Sequence, residues 1–185
     1  MVCLIMFMLS SCVFTVYCPG FDLNDHRYIT YRDNDIIRYY SNNLEIEDSL
    51  EFCVLDFYAD GESEFTSYVP DNECLYDAYY ETNRVDGIII REYLSNNNEM
   101  EVKIGEDVYS SFYLGYFNTT HTHTNESDYT ITYYYEMIDN TKYYCWSLTD
   151  LSGNRRFDSF TKMEGKGIIE FHDKQTDRVW KLDIK

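Results

Sequence analysis

The sequence predicts an all-β fold, a single-domain antiparallel sandwich or barrel-like meander. Three observations carry that expectation. Apolar residues come in short β-branched and aromatic runs, several alternating at period two. Clusters of Asn, Asp, Ser and Gly break these runs about every eight to twelve residues, as strand-to-strand turns do. No stretch holds the 3.6-residue period of an amphipathic helix for three turns. With 20 Tyr and 11 Phe against 2 Pro, the chain also has the aromatic content that disordered acidic segments lack.

The elements follow in order. Residues 1–8 are an apolar run, closed by Leu9-Ser10-Ser11-Cys12. The run is too short for a membrane-spanning helix, which needs about 20 apolar residues. Residues 12–25 read as a short tether without the Ser/Gly-rich composition of a long flexible linker, and residues 26–185 as one domain. Residues 28–31 and 36–40 flank the turn Arg32-Asp33-Asn34-Asp35 and read as a strand pair. Residues 50–58 make the clearest strand. Leu50, Phe52 and Val54 share one face, and Glu51, Cys53, Leu55 and Phe57 the other, which places the strand centrally. Further strands are expected at 65–69, 74–80, 85–94, 100–104 and 108–117, with an exposed polar loop over 118–127. Residues 129–138 and 142–148 flank the hairpin signal Asp139-Asn140-Thr141. Residues 157–163, 167–172 and 178–184 close the chain as a meander.

The formal net charge of −18 lies wholly beyond residue 21. Such a surface repels nucleic acid and anionic headgroups, so nucleic acid is excluded as a partner. No GxSxG, HExxH, P-loop or Gly-rich dinucleotide loop occurs, so no catalytic residue and no cofactor is assigned.

The N-terminal pattern resembles a bacterial lipoprotein signal: an apolar run, a Leu three residues before a cysteine, two small residues, then the cysteine. The resemblance implies removal of residues 1–11 and lipidation of Cys12, and so a membrane partner reached through an N-terminal lipid anchor. The pattern departs from a standard signal in having no charged residue before Asp22. Cys18-Pro19-Gly20-Phe21-Asp22, Asp35-Ile36-Ile37-Arg38-Tyr39-Tyr40 and the closing Gly167-Ile168-Ile169-Glu170-Phe171 and Trp180-Lys181-Leu182 are similar to small uncharacterised lipoproteins of Bacteroides-type bacteria. That likeness brings no activity. The surface-export pattern of those bacteria places acidic residues after the lipidated cysteine. Here Val13-Phe14-Thr15-Val16-Tyr17 follows, so an outer-membrane anchor facing the periplasm is expected.

Four further cysteines, Cys18, Cys53, Cys74 and Cys145, allow two disulfides in three connectivities in an exported domain. Cys53–Cys74 with Cys18–Cys145 is the pairing preferred here; the first loop, of about 20 residues, would add on the order of 3 kcal/mol. His121 and His123, alternate residues in Thr-His-Thr-His-Thr, are weak candidates for chelating a cation with Glu126 or Asp128, against the reading of a solvated loop. The acidic turns Asp60-Gly61-Glu62-Ser63-Glu64 and Asp33-Asn34-Asp35 lack EF-hand spacing and read as solvated turns. Tyr133-Tyr134-Tyr135, Tyr143-Tyr144 and Trp146 read as sheet packing, with a sugar-stacking platform as the functional alternative.

The expected function is thus a lipid-anchored envelope protein, a non-catalytic binding or structural module with a protein or glycan partner. The alternatives are a secreted viral or eukaryotic glycoprotein binding a host factor, for which Asn118-Thr119-Thr120 and Asn125-Glu126-Ser127 are sequons, and a carbohydrate-binding accessory lipoprotein.

Overall fold

A computed structural model describes residues 14–17, 29–41, 48–61, 64–67, 76–94, 99–113, 123–126 and 128–184. Its regular elements are all strands: β1 (Phe14–Tyr17), β2 (Ile36–Ser41), β3 (Ser49–Gly61), β4 (Glu64–Ser67), β5 (Tyr76–Thr82), β6 (Ile90–Leu94) and β7 (Glu99–Ile104). They continue with β8 (Asp107–Tyr113), β9 (His123–Glu126), β10 (Tyr129–Ile138), β11 (Thr141–Asp150), β12 (Phe157–Met163), β13 (Gly167–Asp173) and β14 (Arg178–Leu182). Twelve of them form one antiparallel sheet in the order β8-β7-β6-β5-β3-β2-β14-β13-β12-β11-β10-β9, while β1 and β4 form a separate ribbon. The sheet curls into a half-barrel. Each half of the chain winds as a meander, and the halves join where β14 pairs with β2 through Trp180↔Ser41, Lys181↔Tyr40 and Leu182↔Tyr39.

The all-β expectation is met, in its barrel-like rather than its sandwich form. Local differences have physical causes. Residues 29–31 do not pair with β2, whose two edges are occupied by β3 and β14. The expected tether contains β1, and the expected loop over 118–127 contains β9. The run 85–94 is interrupted: Val85 and Ile88 bridge each other around a turn in which Asp86 and Gly87 take positive φ, leaving Ile90–Leu94 as the strand. In β3 the alternation expected to bury both faces is broken by a bulge between Val54 and Asp56. Leu50, Phe52 and Val54 face the core before it; beyond it Phe57 switches to the core side opposite Tyr80, while Leu55 is left exposed.

The concave face is filled by buried aromatic and branched side chains, among them Tyr39, Phe52, Tyr80, Tyr109, Trp146, Phe157, Phe171 and Trp180. Buried phenols need hydroxyl partners, and several find main-chain carbonyls on distant strands. Tyr39 Oη donates to the Ile168 carbonyl at 2.8 Å and Tyr31 Oη to the Lys166 carbonyl at 2.7 Å. Tyr109 donates to the Phe157 carbonyl and Tyr129 to the Ser110 carbonyl, drawing β8 toward β12 and β10. Arg155 lies over the rings of Tyr109 and Tyr129, at 5.0 and 5.8 Å, and bonds Asp150 at 2.6 Å, which closes the same seam. Gly105, at φ +63°, admits the Phe157 ring so closely that a Cβ there would stand 2.6 Å from it.

Across this interior Lys162 of β12 meets Glu92 of β6, both side chains fully buried, at 2.5 Å. Burial pushes the Glu92 carboxyl up and the Lys162 amine down, while each charge holds the other ionised. The Tyr80 hydroxyl faces the same carboxylate without meeting it in hydrogen-bond geometry. Glu92→Gln strands a buried ammonium and is expected to cost about 3–5 kcal/mol in urea unfolding. Joint replacement of Glu92 and Lys162 by Met should instead be close to neutral or stabilising.

Two other buried carboxylates fix the loops at the far end of β11 and β13. Asp150 accepts from Ser152 Oγ at 2.8 Å, Gly153 N at 2.9 Å and Arg155. Asp173 accepts both arms of the Arg156 guanidinium, at 2.9 and 2.7 Å, and the Gln175 amide. Burial alone would raise both carboxyls, but these donors hold them below the ordinary carboxylate range. Their stabilisation is therefore complete above about pH 4 and is lost as pH falls through the lowered values. Asp173→Asn is expected to flatten the acid limb of stability against pH, read by urea titrations between roughly pH 5 and pH 2.

Candidate functional site: a tyrosine rung on the outer face

Where the concave face is packed, the convex face of β3, β5, β6 and β7 is open. Alternation decides which side chains it receives. In β5, Ala78, Tyr80 and Thr82 point inward, so Asp77, Tyr79 and Glu81 point out. In β6, Ile90, Glu92 and Leu94 are buried and Arg91 and Tyr93 are outward; in β3 the bulge leaves Asp56 and Tyr58 on the outer side.

The register aligns these residues. Tyr58 pairs with Tyr79, Tyr79 with Tyr93, and Tyr93 with Glu101, a rung that crosses four strands. At about 4.8 Å per strand the three phenols span roughly 10 Å. The neighbouring rung is ionic, running Asp56, Glu81, Arg91, Lys103. The Tyr58 and Tyr79 rings stack at 5.7 Å with 28° between their planes. Tyr79 Oη donates to Asp56 Oδ2 at 2.7 Å, and Arg91 Nε donates to Glu81 Oε2 at 2.7 Å with a second contact from Nη2. Asp56, Tyr79, Glu81, Arg91, Tyr93 and Glu101 line a shallow cleft of about 470 Å³.

The hydrogen bond to Asp56 pushes the Tyr79 phenol up, and burial together with Asp77 pushes Tyr93 up. Both therefore stay protonated at neutral pH. The cleft presents hydroxyl donors, carboxylate acceptors and one guanidinium beside aromatic carbon, with Arg91 and Glu81 neutralising each other. That combination suits a ligand with many hydroxyl groups and an apolar ring face.

The structure distributes the sequence candidates differently. Cys12, Cys18, Cys74 and His121 lie outside the described residues. His123 falls on β9 in register with Thr132. Among the described residues no group of three or more His, Cys, Asp and Glu side chains is placed to hold a metal ion. Cys53 and Cys145 carry free thiols here, and Cys74 and Cys18, the partners expected for them, are among the residues not described. Cys145 is buried in register between Tyr134 and Met163. The turn at Asp33-Asn34-Asp35 is a local device: Asp35 accepts the Arg32 amide at 2.8 Å and Asn34 takes positive φ. Trp146 is buried in the core, and Tyr133 and Tyr144 pack against it, so the aromatic run of β10 and β11 is packing at its base. Tyr135 is exposed, and Tyr134 and Tyr143 are half-buried.

Sequence reading passed over Tyr58, Tyr79 and Tyr93 because they lie 21 and 14 residues apart and become neighbours only through register. The available signal was their common placement next to core positions, one step out of phase.

Comparison with known proteins returns no match: no family model, no curated protein and no solved structure matches the chain.

Burial pushes the Cys145 thiol up to about 12, with Glu136 adding to the effect. Native protein at pH 8 is therefore expected to take up iodoacetamide at Cys53, which is half-buried, while Cys145 reacts only after denaturation. Peptide mass mapping of the alkylated protein checks the order.

Proposed function

We infer that the protein is a non-catalytic, lipid-anchored module of the bacterial cell envelope that binds a glycan on its outer sheet face. The anchor is assigned to Cys12 from its lipoprotein-like signal, with the domain held on the periplasmic side of the outer membrane. The observation that carries the binding role is the rung Tyr58–Tyr79–Tyr93 with its flanking Asp56, Glu81, Arg91 and Glu101. Sugar rings offer C–H faces to aromatic carbon and hydroxyls to carboxylate and guanidinium. A filled interior leaves the outer face to do the binding.

Two measurements test the reading. Palmitate labelling is expected in the wild-type chain and absent in Cys12→Ala. On a panel of neutral oligosaccharides, wild-type protein should retain at least one class, and Tyr79→Ala should weaken it about tenfold, the effect of losing one aromatic contact of roughly 1.4 kcal/mol. Retention unchanged by joint replacement of Tyr58, Tyr79 and Tyr93 with Ala, or no retained glycan at all, would remove the binding assignment.

A further inference from the structure

The hydrogen-bonding groups of the outer cleft are unequally spent. The Tyr79 hydroxyl donates to Asp56 at 2.7 Å, and the Tyr93 hydroxyl is bonded to Asp77. Arg91 commits Nε and Nη2 to Glu81. Lys103, in register with Arg91, is engaged by Glu106 at 3.4 Å. The protein's own acids thus take most of the donors. Acceptors are left over, because a carboxylate offers about four lone-pair sites. Glu101, which follows Tyr93 in the rung, has neither a hydrogen bond nor an ion pair among the described residues.

Charge is unbalanced in the same sense. Asp56, Asp77, Glu81 and Glu101 stand around the tyrosines against the single guanidinium of Arg91, on a chain of net charge −18. The cleft therefore holds acceptor capacity and negative potential in excess. A neutral sugar uses only part of this, since its hydroxyls must accept as well as donate. A protonated amine uses all of it: it donates three hydrogen bonds, accepts none and carries the opposite charge. The rings favour the same charge. Tyr58 and Tyr79 stack at 5.7 Å, and Tyr93 is next in register. A cation over such faces is attracted by the negative face of each ring. Asp77 and Glu101 flank Tyr93 from the strands on either side of it, β5 and β7.

We propose that the glycan taken up by the Tyr58–Tyr79–Tyr93 rung carries free amino groups, its sugar ring laid on the phenols and its ammonium held by Glu101 and Asp77. The occupant is a cationic amino sugar, because the cleft combines aromatic faces for the ring with unspent carboxylate oxygens for the charge. The proposal rests on the glycan-binding reading above and narrows its ligand class.

Calorimetric titration of the full chain with a chitosan oligosaccharide and with its fully N-acetylated counterpart tests it, since the two share ring and linkage and differ in the charged amine. The amine form is expected to bind about tenfold tighter, an advantage that shrinks as salt rises. Glu101→Gln should remove most of that advantage and leave the acetylated form unchanged. Joint replacement of Tyr58, Tyr79 and Tyr93 with Ala keeps the net charge, so loss of binding there assigns the contact to the cleft and not to the acidic surface at large. Equal affinity for the two oligomers overturns the amine assignment and leaves the glycan reading standing. Amine-form binding that survives the triple replacement, or that an oligolysine of equal charge matches, also overturns the assignment. Binding of neither oligomer removes the glycan reading and this one together.

Discussion

The constraint on which the structure turns is the meeting of Glu92 and Lys162. Taking two opposite charges out of water costs several kcal/mol for each unless they find one another. β6 and β12 are separated by five intervening strands in the sheet, so their side chains can touch only if the sheet bends back on itself. A flat sheet would leave both groups orphaned on an apolar face. The pair therefore selects one curvature over others that would bury the same hydrocarbon, a specificity that nonpolar packing supplies less sharply. The Tyr39 and Tyr31 hydroxyl bonds to carbonyls 129 and 135 residues away reinforce the same curl.

Tyrosine serves the two sheet faces in opposite ways. Inside, its ring fills volume and its hydroxyl satisfies a main-chain carbonyl. Tyr39 shows both, with edge-to-face contacts to Phe52 and Phe171 at 6.0 and 5.0 Å. Outside, Tyr58 and Tyr79 stack on each other, and the Tyr79 hydroxyl meets the carboxylate of Asp56. One residue type thus builds a core that is polar at its contact points and an outer face that is partly apolar. A strongly acidic chain gains from this, since phenol hydroxyls donate hydrogen bonds to carboxylates without adding charge.

Much of this fold could be read from the sequence, and the remainder could not for identifiable reasons. Period-two alternation marks Leu50, Phe52 and Val54 correctly as core, and the Asp139-Asn140 turn correctly as a hairpin, because both signals are local. The bulge at Val54 and Asp56 is invisible to alternation, so Leu55 was expected to share a face with Phe57 and does not. The strand β1 escapes because its partner β4 is 47 residues away at closest register and neither strand is long enough to signal itself. The disulfide expectation rests on cysteine number and compartment, which carry no information on where Cys145 sits between β10 and β12. The candidate site was illegible for the same reason as the curl: register across strands determines which outward side chains become neighbours.

The junction between β14 and β2 gives the chain a schedule. Of the described strands β14 is synthesised last, yet it sits in the interior of the sheet with β13 on one side and β2 on the other. Until residues 178–182 are available, both of those strands present open edges and Trp180 is missing from the core. The sheet can be completed only after residues 178–182 have left the ribosome. A keystone strand that follows all of its neighbours in the chain keeps the sheet open until residues 178–182 join it.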